Sequence, residues 1–224
     1  MAIDVITRDA ASLGDAELSE MAEFALAQGT PFDVGFLSKL REEWVLCTEI
    51  RDDDKLIASA LCTLERIGGT PSILIGLAVI ESGAHEKEIL FELLAEQYRK
   101  ALLAFPDEDV LVGVRLVSPA GYDVFTGLED IVPRPDHKPT GEERAWARRL
   151  ARRFGAETQL DDRTFVISGG GTAAAHLAYG NVELRTPDGY GIHFEQVVSE
   201  ENDTLVAFGW AMAERLADGS LPGE

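Results

Sequence analysis

The stretch Ile73-Leu74-Ile75-Gly76-Leu77-Ala78-Val79-Ile80, Glu81-Ser82-Gly83-Ala84-His85, Glu86-Lys87-Glu88-Ile89-Leu90-Phe91-Glu92-Leu93-Leu94 decides how this chain is read. Its first part is an unbroken apolar run rich in β-branched residues, short enough for one strand buried on both faces. Its last part carries Ile89, Leu90, Leu93 and Leu94 at helical spacing, a pattern that continues to Ala101 and Leu102. Between them lies a short polar turn. A strand that feeds a helix through such a turn points free backbone N–H groups beyond the strand end, where an anion can sit.

Working outward, Asp4 to Arg8 reads as a first strand. Asp15 caps a helix reaching Gln28, with Leu18, Met21, Ala25 and Leu26 on its apolar face and Gly29 as its stop. Phe36, Leu37, Leu40 and Trp44 mark a second helix. Val45–Arg51 and Leu56–Leu64 are strand-like runs around the acidic turn Asp52-Asp53-Asp54-Lys55. Beyond the central stretch, Asp109–Val117 and Arg163–Ser168 read as strands. Thr140 and Glu143 form a capping box that opens a helix bearing Arg144, Arg148, Arg149, Arg152 and Arg153. Those arginines either hold a phosphate or an acidic partner, or pair with the chain's own carboxylates. Gly169-Gly170-Gly171 lacks a G-K-[ST] ending and reads as a flexible connector. Strands are expected around Asn181–Leu184, Ile192–Val198 and Leu205–Trp210.

The central stretch resembles the donor-binding segment of the GNAT N-acetyltransferase superfamily, a strand ending L-x-V, a turn, R-G-x-G-x-G/A and a helix with paired leucines. Leu77-Ala78-Val79 matches the strand end, and Ile89, Leu93 and Leu94 fall on the apolar helix positions. His85 stands at the arginine position, and Glu86, Glu88 and Leu90 stand at the glycine positions. A side chain there obstructs close backbone approach to a pyrophosphate. The resemblance therefore implies an α/β fold with a GNAT-like, mixed, mostly antiparallel central sheet flanked by helices. It implies a core over 1–168, with 169–224 a β-rich extension that completes the sheet or is appended to it, in the second case as a homodimer contact.

The resemblance also implies acyl transfer from acetyl-CoA to an amine or cationic small molecule, through a weakened or altered acyl-CoA site. Leu77, Val79, Ile80, His85 and Lys87 are then the donor-binding positions, with the Val79 or Ile80 N–H polarising the thioester. Glu81, ending the buried strand, is the candidate base, and Tyr122 is the candidate acid for the departing thiolate. The alternative is a catalytically degenerate member of the fold kept for binding or assembly.

Charge and composition bound the remaining classes. The 224 residues are 46% hydrophobic and 27% charged, with a net charge of −20. That charge disfavours nucleic acid and anionic membrane surfaces, which need clustered Lys and Arg. Cys47 and Cys62 lie in apolar runs without metal-ligand spacing, and the four histidines make no metal motif, so no metal is expected. Met1-Ala2-Ile3-Asp4 has neither a charged nor an apolar leader region, so a cytoplasmic location is expected.

Overall fold

A computed structural model describes residues 3–179 and 189–222. The central run is strand β4, Thr70–Ile80, and every residue from Pro71 to Ile80 is buried, as an apolar run without alternation requires. It is preceded by β1 (Ile3–Asp9), helices α1 (Asp15–Ala27) and α2 (Val34–Glu43), and strands β2 (Leu46–Asp52) and β3 (Lys55–Ile67). It is followed by α3 (Glu86–Ala104), β5 (Val110–Leu116), a 3-10 segment at Pro119–Phe125, and β6 (Glu129–Val132). Then come α4 (Gly141–Arg153), β7 (Leu160–Asp161), β8 (Val166–Ile167), β9 (Leu177–Ala178), β10 (Thr204–Ala211) and α5 (Ala213–Ala217).

The ten strands form one sheet in the order β1-β2-β3-β4-β9-β5-β10-β8-β7, with β6 also paired to β10. Pairing is antiparallel except where β4, β5 and β9 meet. This is the mixed, mostly antiparallel α/β arrangement with flanking helices that the sequence implied. Helices cover both faces. On one, Arg51 of β2 bonds Glu20 of α1 at 2.7 Å, and Trp44, just past α2, lies over Gly76. On the other, Gln97 of α3 donates to Thr48 Oγ1 at 2.8 Å. A bulge in β4 at Gly76 shifts the register between Leu61↔Leu77 and Cys62↔Ile75. Only glycine fits there, because a Cβ would lie 2.0 Å from the Trp44 ring.

The last inner strand comes late. β10 pairs with β5 from Leu205↔Leu116 to Ala211↔Val110, so residues from the C-terminal stretch sit inside the sheet. The chain between β6 and β10 (133–203) is a long excursion that carries α4, β7, β8 and β9 before the sheet is completed. Within it Arg152 and Arg153 pair at 2.6 Å with Glu157 and Glu65, Arg148 pairs with Asp162, and Arg149 lies over Trp146. Internal pairing is thus the use most of these arginines have.

Some local readings are corrected. Gly14, not Asp15, occupies the α1 cap, and Glu17 reaches back to its N–H at 2.7 Å. Ile192–Val198 is not a strand but part of a 3-10 turn, Tyr190–Phe194, and the residues after it. Tyr190 and Phe194 of the turn cover Tyr122, with the Tyr190 ring 4.1 Å from it, whereas Ile192 and Val198 of the expected strand are exposed. The strand expected at Asn181–Leu184 lies outside the described residues.

Candidate functional site

Strands β4 and β5 run side by side only from Ser72↔Leu111 to Ile75↔Val114. Beyond that they part, and β9 enters the gap. Leu177 and Ala178 pair with Ala78 and Val79 on one side, and Leu177 pairs with Leu116 on the other. The Ala78 N–H donates to the His176 carbonyl at 3.1 Å. The opening of a parallel pair is where backbone groups are free to meet a ligand; here a strand of the same chain takes them. Leu177 and Ala175 are buried, and the Tyr179 hydroxyl donates to Asp123 at 2.7 Å. Lys87 at the start of α3 lies 3.7 Å from the same Asp123.

The connection into this segment is held firmly too. The Gly169 N–H donates to Asp203 at 2.9 Å and the Gly171 N–H to the Glu201 carbonyl at 2.8 Å. Gly170 and Gly171 have φ of 55° and 77°, which glycine adopts without cost. The glycine run is therefore an ordered turn that aims 172–179 into the gap, where the sequence suggested a flexible connector.

The expected site residues fall as follows. Leu77, Val79 and Ile80 are buried in β4, and β9 pairs alongside Val79. Glu81 ends the strand with an ion pair to Lys55, and its N–H bonds the Ile57 carbonyl at 2.9 Å. His85 is exposed at the α3 cap and makes no side-chain cap bond. The Ser82 N–H of this loop is taken by Gln28 Oε1 at 2.9 Å, and the first turn of α3 carries Glu86 and Glu88. Glu88 is exposed and Glu86 buried, so the first turn carries acidic side chains where an anion would need donors. Lys87 also lies over the Phe91 ring at 5.2 Å, turned toward its own helix. Tyr122 is buried among Phe125, Tyr190 and Phe194, and its hydroxyl donates to the Pro133 carbonyl at 2.9 Å. Burial pushes that hydroxyl well above the usual phenol range. Glu81, His85 and Lys87 stay near the loop, whereas Tyr122 belongs to a separate aromatic cluster.

Two residues the sequence reading did not single out do meet at the gap. His176, on the inserted segment, has its Nδ1 2.8 Å from the Ala174 carbonyl, so Nδ1 carries the proton and Nε2 is an acceptor. It packs edge-on to Phe32, and burial holds it down to about 4, neutral near pH 7. Two recesses of about 320 and 200 Å3 border it, the first with Thr30, Asn202 and Asp203, the second with Gln28, Ser82 and Ser118. Arg115 of β5 lies in the floor of a third recess of about 220 Å3, with α2 residues and 172–175 as walls. Burial draws its guanidinium down to about 10, Glu43 opposing, so it stays charged at neutral pH. The signal for Arg115 was present in the sequence as one cation inside the apolar run Val110–Val117. His176 had none.

The two thiols are inert by environment. Cys47 and Cys62 are buried and unbonded, and burial pushes Cys47 to about 12 and Cys62 higher. No group of three or more potential metal ligands occurs among the described residues, nor is any described helix long and apolar enough to cross a membrane.

No protein-family model matches the chain, and no curated protein matches it. Solved structures do. The ribosomal-protein-S18-alanine N-acetyltransferase from Escherichia coli is similar over 62% of this chain and 86% of its own, at 13% identity and a TM-score of 0.40. Escherichia coli ElaA is similar over 62% and 95%, at 14% identity and a TM-score of 0.41. The ribosomal-protein-alanine N-acetyltransferase from Brucella melitensis biovar Abortus 2308 is similar over 45% and 74%, at 15% identity and a TM-score of 0.33.

Proposed function

We propose that this chain is a GNAT-fold binding protein that has given up the acyl-CoA path and holds a small ligand beside the gap between β4 and β5. The observation that carries the reading is β9, which pairs into the opening between β4 and β5 and takes the backbone groups an acyl donor would need there. The acidic first turn of α3 supports it, since Glu86 and Glu88 repel a pyrophosphate. A second reading is favoured by the shortness of β9, which is held in the gap by two residues, Leu177 and Ala178. If residues 177–179 withdraw, the gap between β4 and β5 opens, and the chain becomes an acyltransferase with a displaceable strand in its cleft.

Titration with acetyl-CoA, on the natural protein and on Leu177→Asp, separates them. A carboxylate cannot stay buried unpaired at position 177, so that variant expels the segment. The binding-protein reading expects no heat from either protein. Heat only from Leu177→Asp supports the displaceable strand, and low-micromolar binding by the natural protein overturns the proposal.

A further inference from the structure

Arg115 is a buried cation that no carboxylate pairs with directly, Glu43 acting on it only through space. It is 7% exposed, its Nε has no hydrogen-bond partner, and among the described residues it makes no ion pair. Its guanidinium lies over the Phe154 ring, 5.1 Å from the ring centre. An uncompensated charge at such a position is costly, and it persists where a ligand supplies the missing partner. The recess in front of it is bounded by Phe36, Leu40, Phe154 and Ala175, with Lys39 and Glu43 among its lining residues. Apolar walls around one forked cation suit an organic acid, because a guanidinium binds a carboxylate through two parallel hydrogen bonds. At about 220 Å3 the space suits a few carbon atoms beyond the carboxylate.

We propose that the Arg115 recess is a binding site for a small monocarboxylic acid with an apolar body, the carboxylate on Arg115 and the hydrocarbon against Phe36, Leu40 and Phe154. The site shares no lining residue with the recess at Glu81–Glu86, but residues 172–175 form one of its walls, so it rests on the reading in which that segment stays in place. Its chemistry differs from what the net charge of −20 favours over the surface at large, because Arg115 lies inside and faces a local field.

The test is calorimetric titration of the full chain with isovalerate, with isovaleramide as its neutral counterpart, and with inorganic phosphate. Isovalerate is expected to bind at millimolar concentration or better, and isovaleramide about tenfold more weakly or not at all, as loss of a charge-assisted bond predicts. Arg115→Met is expected to abolish isovalerate binding while its unliganded melting temperature stays level or rises, since the variant removes a buried charge. A purely structural arginine would instead lower the melting temperature and leave the ligand ratio unchanged. Should Arg115→Met not fold, Lys39→Ala at its exposed position is expected to weaken isovalerate and leave isovaleramide unaffected. Equal binding of acid and amide, phosphate binding without isovalerate, or no binding of either anion overturns the proposal.

Discussion

Gly76 shows how little freedom a residue has when a bulge and an aromatic ring share one place. Any Cβ there would sit within 2.0–2.4 Å of three Trp44 ring atoms, and the ring is itself held against Phe154 at 6.0 Å and under Arg153 at 4.6 Å. Gly76→Ala is expected to lower stability by about 3 kcal/mol, at the upper end of overpacking costs, read from urea unfolding. The sequence did not mark this glycine, because its need is set by a tryptophan 32 positions earlier (76 − 44) whose approach only the fold creates. Arg115 was legible in principle, as a cation in a run that must be buried. His176 was not, for a lone histidine after an alanine run carries no pattern. Tyr122 was legible as an aromatic on a short helix, but its direction depended on Pro133 and Tyr190, which lie in other segments.

Among the elements, the long ones were readable and the short ones were not. The strand Thr70–Ile80 and helix Glu86–Ala104 follow from their own periodicity, since each makes enough apolar contact to fix its form. Strand β9 has two residues, and what makes it a strand is the gap between two distant neighbours. Its hold on that gap is expected to depend on pH through His176. The folded chain keeps this imidazole near 4 against an unfolded value of 6.5, so as pH falls below about 6.5 the unfolded state takes up a proton that the folded state refuses. Stability is therefore full above that range and is lost toward pH 4. The loss at pH 5 relative to pH 7.5 is about 2 kcal/mol from this one group. Arg115, the charged group that adds to the depression, keeps its charge throughout. Carboxylates such as Glu20 and Glu143, held low by Arg51 and by the Thr140 cap, weaken in the same direction. Urea midpoints of the natural protein and His176→Gln at both pH values isolate the histidine: the variant should lose about 2 kcal/mol less.

At the scale of the whole molecule, charge sets the behaviour. A net charge of −20 repels itself in the compact state, and added salt screens that repulsion. The melting temperature is expected to rise between low salt and about 0.5 M sodium chloride, where the screening length is only a few ångströms. A fall would show that ion pairs such as Arg51–Glu20 outweigh the repulsion. The position of β10 has a consequence for how the chain is made. The seam between β5 and its final neighbour cannot close until residues 204–211 have left the ribosome, so residues 1–203 wait with the edge of a strand that is apolar except for Arg115 unpaired. Nascent chains of this protein should lean on chaperones that shield such edges. A version ending at Glu201 is expected to sediment as aggregate while the full chain stays in the supernatant, which a spin test after expression of both would decide.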